Sequence, residues 1–253
     1  MKATAGNAVL AKVPAITLGF WIIKILATTL GETGGDAVSM SMDLGYLVAT
    51  AIFMAVFVIA VTAQVRVSRF HAVLYWITII ASTTVGTTLA DFATRSLGIG
   101  YTGGSALLLA LLIGCLFTWQ RVLGTVSVAS VHGPKAELFY WLTIMFSQTL
   151  GTALGDWTAD TNGLGYLGAA AVFSALLLLV VALYLFTQVS RTALFWSAFV
   201  LTRPLGAVVG DFLDKPVAKG GLEMSRYTAT AALFVAIAVL IVVLPQRAAE
   251  RAH

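Results

Sequence analysis

Lys24, Glu32 and Arg203 each lie inside a long run of hydrophobic residues, where a charge is out of place. A charged side chain at the centre of a membrane helix costs at least about 2.5 kcal/mol unless it is paired or hydrated. Glu32 is the obvious counter-ion for the two basic residues. Such a trio is either a buried structural ion pair or part of a path for an ion or proton. Four aspartates form a second set: Asp36, Asp91, Asp156 and Asp211 occupy one recurring position. They read either as helix-end caps or as an acidic ring of the kind that lines cation pathways. Glu32 with these four would offer hard oxygen ligands to manganese or calcium. Arg203 would instead grip a small anion or a carboxylate metabolite through its planar fork.

The elements that must position these residues follow from an internal repeat. An aromatic-Trp pair precedes each Asp at a fixed spacing: Phe20-Trp21, Tyr75-Trp76, Tyr140-Trp141 and Phe195-Trp196. The Trp residues are separated by 55, 65 and 55 positions. Between Trp and Asp each copy carries two small residues four apart: Gly31/Gly35, Gly86/Ala90, Gly151/Gly155 and Gly206/Gly210. A fixed sequence period means a repeated structural unit. The units fall near 12–66, 67–122, 136–189 and 190–247 within one membrane domain, and residues 125–135 read as a linker between two halves.

Each unit holds two apolar stretches of about the twenty residues that cross a bilayer as helix. These lie near 13–33, 44–64, 71–91, 101–121, 137–156, 165–187, 193–211 and 225–244. The expected fold is all-α: a polytopic membrane protein of eight transmembrane helices, arranged as four like-oriented two-helix repeats. Barrel strands would alternate over roughly ten residues, and these runs do not. Composition agrees, with 59% hydrophobic and only 10% charged residues. A soluble domain carries about 25% charged residues to wet its surface. Lys2 and Lys12 precede an apolar segment that recurs three more times, so that segment reads as a structural helix rather than a leader.

Charge sets the expected orientation. Lys2, Lys12, Arg66, Arg69, Arg121, Lys135, Arg191, Arg247 and Arg251 lie at the termini and between units, against Glu137 and Glu250. The turns within units are acid-rich. The positive-inside rule then places both termini in the cytoplasm of a bacterium and the four Asp at the outer face of its inner membrane. The same asymmetry explains the pI of about 9.3 without a nucleic-acid partner.

Small-xxx-small pairs let membrane helices approach closely, so the first helices of the four units should cluster. The Trp residues suit an anchoring or packing role near the interface. Steps of three and four residues put Trp21, Lys24, Thr28, Glu32 and Asp36 on one face. If every copy turns that face inward, two polar layers arise. One holds Thr28, Thr83, Gln148 and Arg203, and the next holds Glu32, Thr87 and Thr152. Pro204 should break helix seven beside Arg203 and open a cavity there.

The four tandem copies resemble a bacterial family of integral membrane proteins built from four two-helix repeats of unknown function. That resemblance implies a multi-span inner-membrane protein. The stretch Glu32-Thr33-Gly34-Gly35-Asp36 is also similar to the E-x-G-D signature of calcium/manganese transporters, with one inserted Gly and with Ala37 where Lys or Arg stands.

No catalytic motif accompanies these features. His71, His132 and His253 lack metal-ligand spacing, and no H-E-x-x-H, G-x-S-x-G or phosphate loop occurs. The expected function is therefore transport or export of a small ion between helices 1, 3, 5 and 7. The cargo is a divalent cation such as manganese or, alternatively, a small anion or carboxylate. A non-transporting assembly or sensor module is the remaining alternative. No enzyme activity and no resident cofactor are expected. The partners are the lipid bilayer and a small ion or polar solute, with a homo-oligomer left open.

Overall fold

Each repeat folds into two long helices in the computed structural model, which describes residues 11–96, 98–161 and 163–249. Lys2, Glu250, Arg251 and His253 lie outside the described residues. The helices are α1 Leu18–Asp36, α2 Gly45–Arg66, α3 Ala72–Asp91, α4 Gly100–Leu123, α5 Pro134–Asp156, α6 Gly165–Phe186, α7 Arg191–Asp214 and α8 Arg226–Val243. Short 3-10 turns lie at Val128–Ser130 and Val217–Lys219. Among the described residues the only β-pairing is an isolated bridge between Pro14 and Ala248.

Among the described residues, six of the eight long helices are apolar enough to cross a membrane: α2, α3, α4, α6, α7 and α8. α1 and α5 fall short of that measure. α1 carries Lys24, Glu32 and Asp36, and α5 carries Lys135, Glu137, Gln148 and Asp156. Apart from Lys135, which is exposed, these residues are turned inward, as described below. α1 also starts later than expected, because Pro14 belongs to an extended segment and the Thr17 hydroxyl caps the helix by accepting from Phe20 N at 3.1 Å.

The odd-numbered helices form a closed ring in which α1 touches α3, α3 touches α5, α5 touches α7 and α7 touches α1. The even helices wrap the outside, each packing chiefly on the odd helix of the following repeat: α2 on α3, α4 on α5, α6 on α7 and α8 on α1. Their outward faces expose Ile59, Ile113, Leu178 and Val242, among others. An exposed apolar belt of this kind needs lipid to cover it.

Three inner helices end in a single π-helical segment directly after the repeated Asp: Ala37–Ser41, Phe92–Ser96 and Trp157–Thr161. Each then turns into its partner helix through Gly45, Gly100 or Gly165, whose φ values are +72°, +65° and +64°. Only glycine takes that conformation without penalty, which explains its recurrence at one repeat position. The fourth repeat departs from the pattern. α7 runs three residues past Asp211, and a hairpin-like loop follows, closed by Leu222 N donating to Phe212 O (2.7 Å) and Met224 N to Leu213 O (2.9 Å).

The stretch 125–135 connects α4 to α5 and packs against the bundle. Val128 and Val131 are buried, and the Trp196 indole N–H donates to Val126 O at 2.9 Å.

Candidate functional site

The same neighbour-to-neighbour interlock repeats at each level of the inner ring. At the end bearing the Trp residues, the first aromatic of each pair meets the Trp of the next repeat. Phe20 lies 5.5 Å from Trp76, Tyr75 5.7 Å from Trp141, Tyr140 6.2 Å from Trp196 and Phe195 5.8 Å from Trp21. The Tyr75 and Tyr140 hydroxyls share a hydrogen bond of 2.6 Å. Trp76, Trp141 and Trp196 are buried, so these side chains form an aromatic floor across the axis. Of the two roles expected for them, packing is the one they fill.

The next level explains the glycines. A Cβ on Gly31 would stand 2.0 Å from Thr83 Oγ1, and one on Gly206 would stand 2.0 Å from Thr28 Oγ1. On Gly86 it would meet Gln148 Cβ at 2.8 Å, and on Gly151 it would meet Arg203 Cγ at 2.3 Å. Each glycine therefore makes room for the residue seven after Trp in the following repeat, with α7 closing onto α1. Hydroxyl donation follows the same register: Thr83 Oγ1 to Ala27 O at 3.1 Å, and Thr28 Oγ1 to Thr202 O at 3.3 Å.

The expected polar layers exist. Thr28, Thr83, Gln148, Thr152, Lys24 and Arg203 have no exposed surface, and Glu32 is 2% exposed. One guanidinium nitrogen of Arg203 lies within hydrogen-bonding distance of Glu32 Oε2 (3.1 Å), Thr83 O (3.4 Å), Thr87 Oγ1 (2.5 Å) and Thr152 Oγ1 (2.5 Å), and its neighbour donates to Thr28 O (3.3 Å). Arg203 thus joins all three other inner helices.

Lys24 does not take Glu32 as its partner. Its ammonium reaches Gln148 Oε1 at 3.5 Å and lies 4.1 Å from the centre of the Phe199 ring. Gln148 Nε2 and Arg203 Nε, buried in the same region, have no hydrogen-bond partner. Nor does Pro204 break α7. α7 is continuous through it, and its ring fits against Gly151. A proline needs a missing donor tolerated by its neighbours, and close packing on α5 supplies the rigidity.

Asp36, Asp91, Asp156 and Asp211 do sit at one level, but they are buried and ion-paired rather than water-facing caps. Arg95 bridges Asp91 (3.0 Å) and Asp156 (2.9 Å). Lys215 bridges Asp36 and Asp211, the latter at 3.0 Å, and stands 3.8 Å from Asp214. Arg226 holds Asp214 at 2.9 Å. Burial disfavours the Lys215 ammonium, but Asp211, Asp36 and Asp214 outweigh it and hold its pKa well above the ordinary lysine value. One carboxylate oxygen each from Glu32, Asp36 and Asp211 lies within 4.8 Å of the others, a spacing suited to one hard cation. Asp91 and Asp156 belong to the opposite half of the rim and to no such trio among the described residues.

Arg95, Lys215 and Arg226 are not among the site residues expected from the sequence. The signal was present, since Arg95 and Lys215 both stand four residues after the repeated Asp, in repeats two and four. Lys12 was read as a loop charge for orientation. It is buried, with its ammonium on Glu137 Oε1 (2.6 Å) and on the carbonyls of Gln64 and Val65 (both 3.1 Å). The segments flanking the bundle pair above it, through Ala15 N to Arg247 O at 2.8 Å and Ala249 N to Val13 O at 2.9 Å.

No curated protein and no solved structure matches the chain. A family described as a repeat of unknown function, DUF347, matches it four times, over residues 19–70, 74–125, 139–190 and 194–247. These matches cover each two-helix unit of the ring in turn, and the protein is a four-repeat member of the DUF347 family.

Proposed function

We propose that this protein is a carrier for a small ion, with the path along the axis between α1, α3, α5 and α7. The observation that carries the reading is the row of buried charges along that axis. It runs from Lys24 through Arg203 and Glu32 to the four Asp, all sealed from lipid by four apolar outer helices. Ionisable groups held inside a membrane bundle are costly and ordinarily mark such paths. All eight long helices cross the bilayer in this reading. α1 and α5 do so despite their polarity because α8 and α4 cover them. In the same reading the protein lies in the bacterial inner membrane with both termini cytoplasmic and the Asp level outside, an orientation that the basic excess of the opposite side supports.

The cargo is a divalent cation such as manganese, taken up at Glu32, Asp36 and Asp211. It is substrate, not cofactor, and no catalytic step is involved. The packed axis is a closed state, and passage needs the inner helices to part at the Arg203 layer. Manganese flux into proteoliposomes, read by quenching of a trapped dye, should be saturable and should fall at least about tenfold in Glu32→Gln and in Asp36→Asn. Wild-type flux no greater than that of empty liposomes defeats the reading.

A second reading is favoured by the donors around Lys24. The Lys24 ammonium lacks a carboxylate, and Gln148 Nε2 and Arg203 Nε lack acceptors. This excess suits a small anion. Chloride or acetate flux that survives Glu32→Gln but is lost in Lys24→Met would select it. Absence of flux for either charge, with a membrane partner still retained on purification, would leave the assembly or sensor role.

A further inference from the structure

The two cations of the Asp level are related by the repeat, yet they are not equivalent. Arg95 and Lys215 each stand four residues after their own Asp and reach across to the Asp of the following repeat, with repeat four reaching repeat one. On the Arg95 side a planar guanidinium ties two carboxylates at 3.0 and 2.9 Å. Glu32 has no carboxylate counterpart beside them, because Thr152 occupies its repeat position in the third copy. That half is a fixed cross-brace.

The Lys215 side has a third carboxylate, Glu32, brought within 4.8 Å of Asp36 and Asp211. Asp36 Oδ1, on a residue 1% exposed, accepts no hydrogen bond. An ammonium is a compact point charge on a flexible stem, unlike a guanidinium fork. Lys215 also begins the loop that, among the described residues, only repeat four possesses, and Asp214, 3.8 Å from its ammonium and shared with Arg226, offers a second seat. Lys215, Arg203 and Arg226, the last 3.9 Å from Asp36, face Glu32, Asp36, Asp211 and Asp214, so the acids of this half outnumber its cations. If the ammonium moves over to Asp214, it opens the bridge between Asp36 and Asp211 to a divalent ion, while Arg203 stays on Glu32 and Arg226 stays beside Asp214 and Asp36.

Resting on the cation reading above, we infer that Lys215 is a tethered competitor of the carried divalent cation. It occupies the bridge between Asp36 and Asp211 when the site is empty and swings to Asp214 when the ion enters. Lys215 thereby keeps the buried carboxylates compensated in the absence of cargo, and it sets the affinity low enough for release.

The test is manganese binding to the full chain in detergent, read from the loss of the free-ion EPR signal. Removing a positive charge in contact with two ligands should tighten binding, so Lys215→Met is expected to bind at least about tenfold more tightly than wild type. Lys215→Arg, a fork that grips both carboxylates, should bind roughly tenfold more weakly. Asp36→Asn should abolish the gain when combined with Lys215→Met, and Arg95→Lys should leave affinity unchanged. Should Lys215→Met fail to fold, Lys215→Arg carries the test alone, and its affinity must fall. Wild-type affinity in every folded Lys215 variant overturns the inference while leaving the cation reading intact. No manganese binding by wild type or any variant removes both.

Discussion

Arg203 is the residue on which the inner ring converges, and its loss should be felt as a buried charge left alone. Arg203→Met strands Glu32, and breaking a buried pair from one side costs about 3–5 kcal/mol. The double variant Arg203→Met/Glu32→Gln removes both charges and should recover much of that loss in apparent melting temperature. A double no more stable than the single would show that the pair is not the source of the cost. Lys24 makes the opposite case. With only a 3.5 Å contact to Gln148 and a ring face at Phe199, its charge is poorly compensated. Lys24→Met should therefore stabilise the protein, by roughly 1–4 kcal/mol if the methionine fills the space, while abolishing chloride or acetate flux if the axis carries an anion. A stabilised variant with full flux would mean that Lys24 is a passive tenant of the axis. The identities of these residues were readable from their positions in the repeat. The choice of Gln148 over Glu32 as the partner of Lys24 was not, because three- and four-residue spacing fixes a face and not the direction of a long side chain.

At the scale of the element, the inner helices owe their spacing to one glycine each. Gly31→Ala and Gly206→Ala would drive a methyl to 2.0 Å from a threonine hydroxyl on the neighbouring helix. Both should lose stability by about 1–3 kcal/mol or more through overpacking. The companion changes Thr83→Ala or Thr28→Ala remove the obstructing side chain and should restore part of the loss, which a double-mutant comparison of melting temperatures would reveal. Gly45 and Gly100 act differently. Nothing lies near their missing Cβ, but their φ is positive, so alanine there should cost about 1 kcal/mol through the backbone alone. The small-residue pattern announced close helix contact. The π-helical segments after Asp36, Asp91 and Asp156 left no comparable sequence signature, since they reflect how the chain must turn to place the next helix on a different repeat.

For the molecule as a whole, the ring is closed by α7 on α1 and by α8 on α1, and sealed at the Trp level by the paired flanking segments. Lys12 ties that seal to Glu137, which is 1% exposed. Lys12→Ala should cost about 3 kcal/mol or more by leaving the acid unpaired in a buried site. Glu137→Gln in the same chain should return part of it. Cysteines placed at Asp43 and Gly163, in the turns of repeats one and three, should label from one compartment and a cysteine at Arg69 from the other. Labelling of Asp43 and Gly163 from opposite sides would end the parallel arrangement of repeats.

What the amino-acid sequence determined by itself was everything that periodicity and composition can encode. That includes the membrane environment, the fourfold repeat, the helices that carry small residues and the ranks of Lys24, Thr28, Glu32 and Asp36 with their counterparts. Identical spacing in four copies forces like residues to like depths, whatever the packing. Tertiary structure alone decided which neighbour each rank meets. It set every even helix on the following repeat, aligned Gly with the next copy's threonine, glutamine or arginine, and brought Arg95 and Lys215 over the Asp level. These pairings join residues between 50 and 180 positions apart, and no local pattern specifies them. They follow from closing four similar units into one ring, where each unit's exposed polar edge finds its only cover on the next.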